Sequence, residues 1–249
     1  MSNSIGREFM RKTCYPYLPV APQDSGVPQP PLELPYPEGA RLLDLPPIAE
    51  INIPSIDLRS AIENRKTVRS YSNQAITIDE LSSLLWLTQG VRRVSARPAT
   101  LRNVPSAGAR HAFETYLLIN KVEGLPAGLY RYAALQHALL ELNLSPDLND
   151  RITRACLNQN QIASSSVTFF WVAVIERMYW RYTERGYRYL LLDAGHICQN
   201  LYLAAEALGC GVCAIGAFDD DLLNSALGLD GETLFVVYGG ALGKRVDRE

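Results

Sequence analysis

Long apolar runs are missing from this sequence of 249 residues. The longest strongly apolar run, Val167 to Ile175, is far short of the roughly 20 residues that span a bilayer. No N-terminal segment joins a basic start to an apolar stretch, as a secretory signal does. We therefore expect a cytoplasmic protein with no membrane partner.

An excess of charge of either sign is also missing. The 24 Lys and Arg residues nearly balance the 26 Asp and Glu residues, and the formal net charge is −2. This balance disfavours nucleic acid as a partner, so any phosphate site has to be a local cluster of cations. The cysteines are odd in number and scattered, which argues against a disulfide scaffold and favours free thiols in a reducing compartment. They are Cys14, Cys156, Cys198, Cys210 and Cys213.

Several common ligand motifs fail or are absent. No Gly-x-Gly-x-x-Gly follows a predicted strand, which disfavours the usual dinucleotide-binding fold. The run from Gly239 to Lys244 has the wrong glycine spacing for the phosphate loop of an NTPase, and Arg245 stands where that loop needs Ser or Thr. The pair Cys210 and Cys213 has no second pair for zinc, and only three histidines occur, so the sequence predicts no metal site.

Proline is concentrated near the N-terminus. Five prolines fall within residues 28–37, where they are separated mainly by Leu and Tyr. We predict that residues 1–54 form an extended arm rather than a helix, because proline lacks the helical donor and favours extended backbone. Disorder and packing along the body or a partner subunit are both open for this arm. Residues 55–249 are predicted to form one domain with a single core.

The rest of the chain mixes helices and strands, which are recognised from β-branched or aromatic runs and from capping and breaking residues. The first strands are neighbours joined by short turns, so we expect an α+β fold with helices around one mainly antiparallel sheet. The predicted strands are 115–120, 128–132, 139–144, 167–175 and 233–238. The predicted helices are 57–64, 77–90, 145–156, 189–208 and 219–228.

Three segments carry the residue types of a binding site. The segment Arg65 to Arg69 offers three cations and a hydroxyl, which complement a phosphate monoester. Ser106 to His111 is a loop of small residues that lets backbone amides approach a flat ligand. Gly211 to Phe218 is a second small-residue segment that could lie against a planar ring, although without the other segments it indicates no more than a buried strand with a close backbone contact. Taken singly, each segment is also compatible with plain surface or loop structure.

Three segments, taken together and in this order, resemble the nitroreductase superfamily of FMN-dependent proteins. They are Arg65–Arg69, the Pro105–His111 loop and Leu192 to Asn200. The last segment resembles the branch of SagB-type, azoline-oxidase-like dehydrogenases in particular. This resemblance implies a nitroreductase-like fold from about residue 60 to 245, with 55–249 as the FMN-binding domain. It also implies a homodimer with FMN at the interface.

The resemblance further implies which residues contact the cofactor. The basic segment would hold the phosphate and the ribityl chain, the loop would contact the flavin, and the second small-residue segment would lie over the isoalloxazine ring. Arg245 would complete the phosphate site from the C-terminal end. The implied contacts are Arg65, Lys66, Thr67, Arg69, Ser106, Ala107, Ala109, Arg110, Ala214, Ile215, Gly216, Ala217 and Arg245.

One departure from the SagB-type pattern concerns the catalytic residues. Arg181 stands where the pattern has lysine, whereas Tyr182 keeps the tyrosine. Because arginine does not give up its proton, Tyr182 is the candidate proton acceptor, and Arg181 is expected to orient the substrate or to steady a tyrosinate.

Three functional hypotheses remain open. The first is an FMN-dependent oxidoreductase that moves two electrons between the flavin and a small heterocyclic or peptide-derived substrate, as in azoline-to-azole oxidation. The second is a reductase of nitro compounds or quinones that takes electrons from NADH or NADPH. The third is a flavin-binding accessory subunit without turnover, which the arginine at position 181 motivates.

Overall fold

A computed structural model describes residues 4–246 of the chain. Residues 1–3 of the predicted arm and residues 247–249 of the predicted domain lie outside the described residues. In the described range, no helix is both long and apolar enough to cross a membrane. The α-helices between residues 4 and 246 are α1 (Ile5–Lys12), α2 (Leu58–Asn64), α3 (Ile78–Gln89), α4 (Leu148–Ala155), α5 (Asn160–Ser164), α6 (Ile175–Tyr182), α7 (Gly186–Ala207) and α8 (Asp220–Leu227). The strands there are β1 (Leu42–Asp44), β2 (Val91–Val94), β3 (Thr100–Arg102), β4 (Phe113–Ile119), β5 (Gly128–Ala133), β6 (Ala138–Asn143), β7 (Val167–Val174), β8 (Cys210–Ile215) and β9 (Leu234–Lys244).

One large sheet organises the molecule. Its strands follow the order β1–β6–β5–β4–β7–β9–β8, and every pairing is antiparallel. β2 and β3 form a separate hairpin. Successive residues of a strand face opposite sides, so Leu117 and Phe169 lie in one core cluster while Leu118 and Phe170 lie in the other. The predicted α+β class with helices around a mainly antiparallel sheet is confirmed.

Helices cover both faces of this sheet. α3 and α7 contribute Leu84 and Leu201 to the core on one face, and α4 and α8 contribute Ile152 and Leu223 on the other. α3 begins at the predicted capping box, in which Thr77 Oγ1 accepts from the amide of Glu80 at 3.1 Å and Glu80 Oε2 accepts from the amide of Thr77 at 2.9 Å. α7 spans 22 residues, and its side chains contact both the segment Arg65–Arg69, through Tyr202, and the loop Ser106–His111, through Asp193.

Several elements differ from the sequence prediction: α5, β1, β2 and β3 were not predicted, and β9 and α6 show why local signals fail. β9 continues to Lys244, past the predicted end of the strand at residue 238. Gly239 is required there because a Cβ would lie 2.8 Å from the carbonyl oxygen of Phe169, so the glycine marks a close backbone approach rather than a strand end. α6 was not predicted, because it follows β7 directly and its N-cap residue, Val174, offers no capping side chain.

The prediction that the N-terminal arm contains no helix is wrong for its first part. α1 occupies Ile5–Lys12, ahead of Pro16, the first proline of the chain, so no proline interrupts that helix. The proline-rich stretch 28–37 contains neither helix nor strand. Further along, β1 adds an edge strand to the sheet, with Leu42 opposite Leu140 of β6. The arm therefore packs along the body of its own chain.

Buried charges hold the arm against the sheet. A carboxylate oxygen of Glu114 accepts from the amide of Leu34 at 2.9 Å and from the guanidinium of Arg177 at 2.6 Å. Arg131 donates to the carbonyl oxygens of Leu34 and Pro35, both at 3.0 Å. The side chains of Arg177 and Glu114 are only 3% and 4% exposed, so this ion pair is shielded from water and from salt.

Candidate functional site

The basic segment Arg65–Arg69 lies beside β8. Thr67 forms a parallel bridge with Val212, and the amide of Val68 donates to the carbonyl oxygen of Val212 at 2.9 Å. Gly211 permits this approach, since a Cβ there would lie 2.5 Å from the Val68 side chain. Two of the three predicted segments are therefore neighbours in space.

Tyr202 of α7 connects these two segments and was missed by sequence reasoning. Its hydroxyl lies 3.3 Å from Thr67 Oγ1 and accepts a hydrogen bond from the amide of Ala214 at 3.0 Å. The Arg65 guanidinium lies 5.2 Å from the centre of the Tyr202 ring, within the range of a cation–π contact. No motif marks this tyrosine, because its role depends on chain segments more than ten residues away on both sides.

The cations of the basic segment are not neutralised by the rest of the described chain. Between residues 4 and 246, no ion pair involves Arg65, Lys66 or Arg69, and Lys66 and Arg69 are exposed. A phosphate monoester carries nearly two negative charges and several acceptor oxygens, so this set of donors fits it.

Arg245 differs from these cations. Its guanidinium forms an ion pair with Glu206 of α7, and its amide donates to the carbonyl oxygen of Gly209 at 3.2 Å. The Glu206 side chain is 5% exposed, so the pair is largely shielded. Arg245 therefore adds little net positive charge to the basic segment.

The small-residue segment Ala214–Ala217 forms the end of β8 and the turn after it. The side chain of Ile215 is buried in the core on the α4 and α8 face, so only its backbone can face a ligand on the other side. Gly216 and Ala217 are exposed, and a Cβ on Gly216 would lie 3.3 Å from the Tyr238 ring. The carbonyl oxygen of Ala217 accepts from Gln159 at 2.6 Å, which fixes the turn.

The loop Ser106–His111 is held on α7. The amide of Ala107 donates to Oδ1 of Asp193 at 3.3 Å, and the amide of His111 donates to Oγ of Ser106 at 2.9 Å. Burial raises the pKa of Asp193 against the opposing effect of its hydrogen bonds, and its second carboxylate oxygen has no partner in the described chain. Asp193 and Tyr202 are about 13 Å apart along the helix at 1.5 Å per residue, so the loop and the basic segment occupy separate positions on it.

Backbone strain accompanies this loop. Ala109 has a φ of 53° and His111 a φ of 41°, values that residues other than glycine rarely adopt. Gly108 has a φ of 57°, and a Cβ at this position would lie 2.4 Å from the Tyr182 hydroxyl. The loop is thus pressed against the end of α6, where both candidate catalytic residues lie.

Arg181 and Tyr182 end α6. The Arg181 guanidinium lies 5.6 Å from the centre of the Tyr182 ring, and Thr183, which follows, has a φ of 47° and a ψ of −137°. Such a conformation costs about 1–3 kcal/mol and occurs preferentially at functional sites. The Tyr182 ring stands edge-on to Tyr189 of α7 at 4.8 Å between ring centres. The position of the tyrosine is therefore set by a strained turn and by α7.

Arg110 lies towards α6 rather than towards the basic segment. Its guanidinium is 5.3 Å from the centre of the Trp180 ring, and its Nε donates to the carbonyl oxygen of Gly108 at 3.2 Å. The structure thus joins two groups of predicted residues: Arg65 to Arg69 with Ala214 to Ala217, and Ser106 to Arg110 with Arg181 and Tyr182.

The five cysteines are free thiols, and none of them is a member of either group. Cys210 and Cys213 are buried free thiols in β8, and burial raises the pKa of both. Among residues 4–246, no group of three or more His, Cys, Asp and Glu side chains is placed to hold a metal ion.

Comparison with known proteins identifies the family. The model of the Nitroreductase family matches residues 62–244, which is well over half of the chain. A protein from Methanocaldococcus jannaschii that bears the nitroreductase name MJ1384 is 33% identical over 181 residues, which cover 72% of this chain and 89% of the relative. The chain belongs to the nitroreductase family.

Two further similarities extend this comparison. The trifolitoxin-processing protein TfxB of Rhizobium leguminosarum bv. trifolii is 31% identical over 131 residues, which cover 51% of this chain and only 35% of TfxB. The crystal structure of a nitroreductase-type protein from Anabaena variabilis superimposes with a TM-score of 0.66 and 27% identity, covering 84% of this chain and 42% of that one. This chain thus spans less than half of the length of these two proteins.

Proposed function

We propose that this protein is an FMN-dependent oxidoreductase of the SagB-type branch. The observation that carries the proposal is the uncompensated set of cations, Arg65, Lys66 and Arg69, tied through Tyr202 to the small-residue segment that begins at Ala214. Members of the nitroreductase family typically bind FMN. A phosphate next to a flat, small-residue surface is the arrangement that a flavin mononucleotide needs.

Each group of residues has a defined task in this proposal. Arg65, Lys66, Thr67 and Arg69 hold the phosphate and ribityl chain, and the backbone of Ala214–Ala217 supports one face of the ring. Ser106, Ala107 and Ala109 contact the flavin from the other end of α7, and Arg245 supports the phosphate site only indirectly, because Glu206 already neutralises it. When bound, FMN supplies the two-electron acceptor or donor.

Tyr182 is the proton acceptor for substrate oxidation in this proposal. Its hydroxyl lies next to the loop, where a Cβ on Gly108 would touch it, and the strained residue Thr183 fixes its backbone. Tyr182 accepts the proton in its tyrosinate form, and Arg181 stabilises that anion before the transfer, because a guanidinium remains charged throughout. The substrate is a small heterocycle or a peptide-derived azoline, and the name of the relative TfxB, which processes trifolitoxin, supports a peptide-derived substrate.

A second candidate is an NADH- or NADPH-dependent reductase of nitro compounds or quinones. The similarity to the M. jannaschii protein, whose name is that of a nitroreductase, favours it. The two candidates differ in the direction of electron flow, since the oxidase is reduced by its substrate and the reductase by a nicotinamide.

We expect the purified protein to be yellow and to release FMN near one equivalent per chain on heating. The measurement is the visible spectrum, with chromatography of the released chromophore. The double variant Lys66→Gln/Arg69→Gln should bind FMN at least about tenfold more weakly, since charge-assisted hydrogen bonds contribute about 1.5–3 kcal/mol each. Arg59→Gln, which removes one exposed cation of α2, is the matched control and should retain FMN. A colourless wild-type protein that also fails to bind added FMN contradicts the proposal.

Anaerobic half-reactions then separate the candidates. Rapid bleaching of the flavin by NADPH or NADH supports the reductase. Slow bleaching by NADPH and NADH, together with rapid bleaching by an azoline peptide, supports the oxidase. Bound FMN that no donor reduces would indicate an accessory subunit instead.

A further inference from the structure

Two adjoining cavities lie on the face of the sheet that α4 and α8 cover. The larger one, of about 530 Å³, is bounded by Arg131 of β5, Arg151 of α4, the end of α8 and residues 35–37 of the arm. The smaller one, of about 280 Å³, shares Arg151 and Ser225 with it and is also lined by Arg154. We call the two cavities together the α4–α8 groove, and their volume suits a small organic molecule.

The groove lies on the opposite side of the sheet from the candidate site. Tyr116 and Leu129, which line the groove, belong to the core cluster beneath α4 and α8. Tyr202, which joins the basic segment to Ala214, belongs to the core cluster on the other face. The sheet therefore separates a ligand in the groove from the residues proposed to bind FMN.

Arg131 forms the inner wall of the groove, and its guanidinium is only partly satisfied. The residue is 4% exposed, and its Nη2 donates to two carbonyl oxygens of the arm. Its buried Nε has no hydrogen-bond partner between residues 4 and 246. Glu114 on the neighbouring strand pairs with Arg177 at 2.6 Å and forms no ion pair with Arg131. An unsatisfied buried guanidinium is costly, so an anion bound beside it would be stabilised.

Arg151 and Arg154 supply the outer positive charge of the groove. They are three residues apart on α4, so they lie on the same side of that helix, and both line the cavity against α8. Arg151 pairs with Asp147 at 3.8 Å, but the two side chains are 38% and 60% exposed, so water screens this pair and it contributes little. Arg154 forms no ion pair within the described chain. Between residues 4 and 246, no Asp or Glu lines either cavity.

The remaining wall of the groove joins apolar surface to neutral polar groups. Its apolar members include Leu129, Leu142 and Leu227, and its neutral polar side chains include Asn143 and Ser225. The side-chain amide of Asn143 and the hydroxyl of Ser225 can donate to an oxyanion. Apolar walls with a few convergent polar groups are typical of a small-molecule site. The groove therefore fits an anion with an apolar body.

We propose that the α4–α8 groove binds a small organic acid, whose carboxylate or phosphate lies between Arg131 and Arg151 and whose apolar part lies against the leucines of the groove. Such an acid also holds the arm on the sheet, because residues 35–37 form one wall of the larger cavity. The proposal is independent of the flavin function, since it uses none of the residues assigned to FMN.

The test is calorimetric titration of the FMN-saturated protein with cyclohexanecarboxylate and with cyclohexanecarboxamide, which has the same shape without the charge. The non-planar ring of both probes disfavours stacking on a flavin. We expect the carboxylate to bind at least about tenfold more tightly than the amide. Arg151→Gln should weaken carboxylate binding about tenfold and change amide binding by less than about twofold. Arg59→Gln is the matched control and should change neither affinity, because Arg59 also pairs with a residue four positions away on an exposed helix.

A further titration with cyclohexyl phosphate distinguishes the two forms of the acid. Tighter binding of the phosphate than of the carboxylate assigns the groove to a phosphate monoester, and equal or weaker binding assigns it to a carboxylic acid. Either result supports the inference when Arg151→Gln weakens the binding.

Two results would overturn the inference. Equal affinity for the carboxylate and the amide would show that the groove does not recognise an anion. A preference for the anion that Arg151→Gln leaves unchanged, and that Lys66→Gln/Arg69→Gln removes, would place the anion in the basic segment instead. A protein that binds no FMN but keeps the Arg151-dependent preference would support the acid site and contradict only the flavin function.

Discussion

His111 ties the pH dependence of stability to the candidate loop. Burial, with smaller contributions from Arg102 and Arg110, lowers the pKa of His111 to about 3. Between that value and the pKa of about 6.5 of an exposed histidine, the unfolded chain binds a proton and the folded chain does not. This contribution to stability is therefore complete above pH 6.5 and is lost as the pH falls towards 3, by up to about 1.4 kcal/mol per pH unit.

His111→Asn removes this titration while tolerating the φ of 41°, because asparagine accepts left-handed backbone. Urea unfolding at pH 7.0, 5.5 and 4.5 should show that the wild-type protein loses its free energy of unfolding more steeply than the variant. Parallel losses in the two proteins would mean that His111 is protonated in the folded state.

At the scale of elements, Glu114 of β4 determines whether the arm stays on the sheet. Its carboxylate neutralises Arg177 and accepts from the amide of Leu34, and one nitrogen of Arg177 already has no partner within the described chain. Glu114→Gln leaves a buried guanidinium without an anion, so we expect the free energy of unfolding to fall by about 3–5 kcal/mol. Limited proteolysis should then cut the arm within residues 28–37 faster than in the wild-type protein.

Glu63→Gln provides the control for this experiment. Glu63 pairs with Arg59 at 2.8 Å on the exposed face of α2, where such pairs contribute about 0.5 kcal/mol or less. Equal stability and equal proteolysis of the two variants would show that the Glu114 ion pair does not anchor the arm.

Elements with local signals were predictable from sequence, and elements set by distant contacts were not. The capping box of Thr77 and Glu80 marks the start of α3 because both partners lie within one helical turn. β9 and α6 were misjudged, since Gly239 is explained only by Phe169 of the neighbouring strand and α6 has no capping side chain. The same division applies to the site.

The candidate segments carry their chemistry in consecutive residues, so their composition could be recognised in the sequence. The residues that join them could not. Tyr202 contacts Thr67 from 135 positions away, and Asp193 accepts from Ala107 across 86 positions.

At the scale of the whole molecule, α2 and α7 expose apolar side chains that we expect to meet a second copy of the chain. Leu58 and Ile62 of α2 are 66% and 54% exposed, and Leu191 and Leu192 of α7 are 60% and 59% exposed. The two helices contact each other, and the basic segment follows α2 directly. Exposed apolar patches are typical of an interface, and we propose a homodimer with FMN at this face, which would cover these side chains.

Leu192→Asp should therefore convert a dimer into a monomer and weaken FMN retention with it, because a buried charge at the interface lacks a partner. Light scattering gives the mass, and absorbance near the flavin bands gives the FMN content of the same samples. Leu222→Asp introduces the same charge at a leucine that is 57% exposed on α8, on the opposite face of the sheet, and should leave both the mass and the FMN content unchanged. A Leu192→Asp variant that becomes monomeric but keeps its FMN would place the cofactor within one subunit and away from this face. A wild-type protein that is already monomeric would remove the interface altogether.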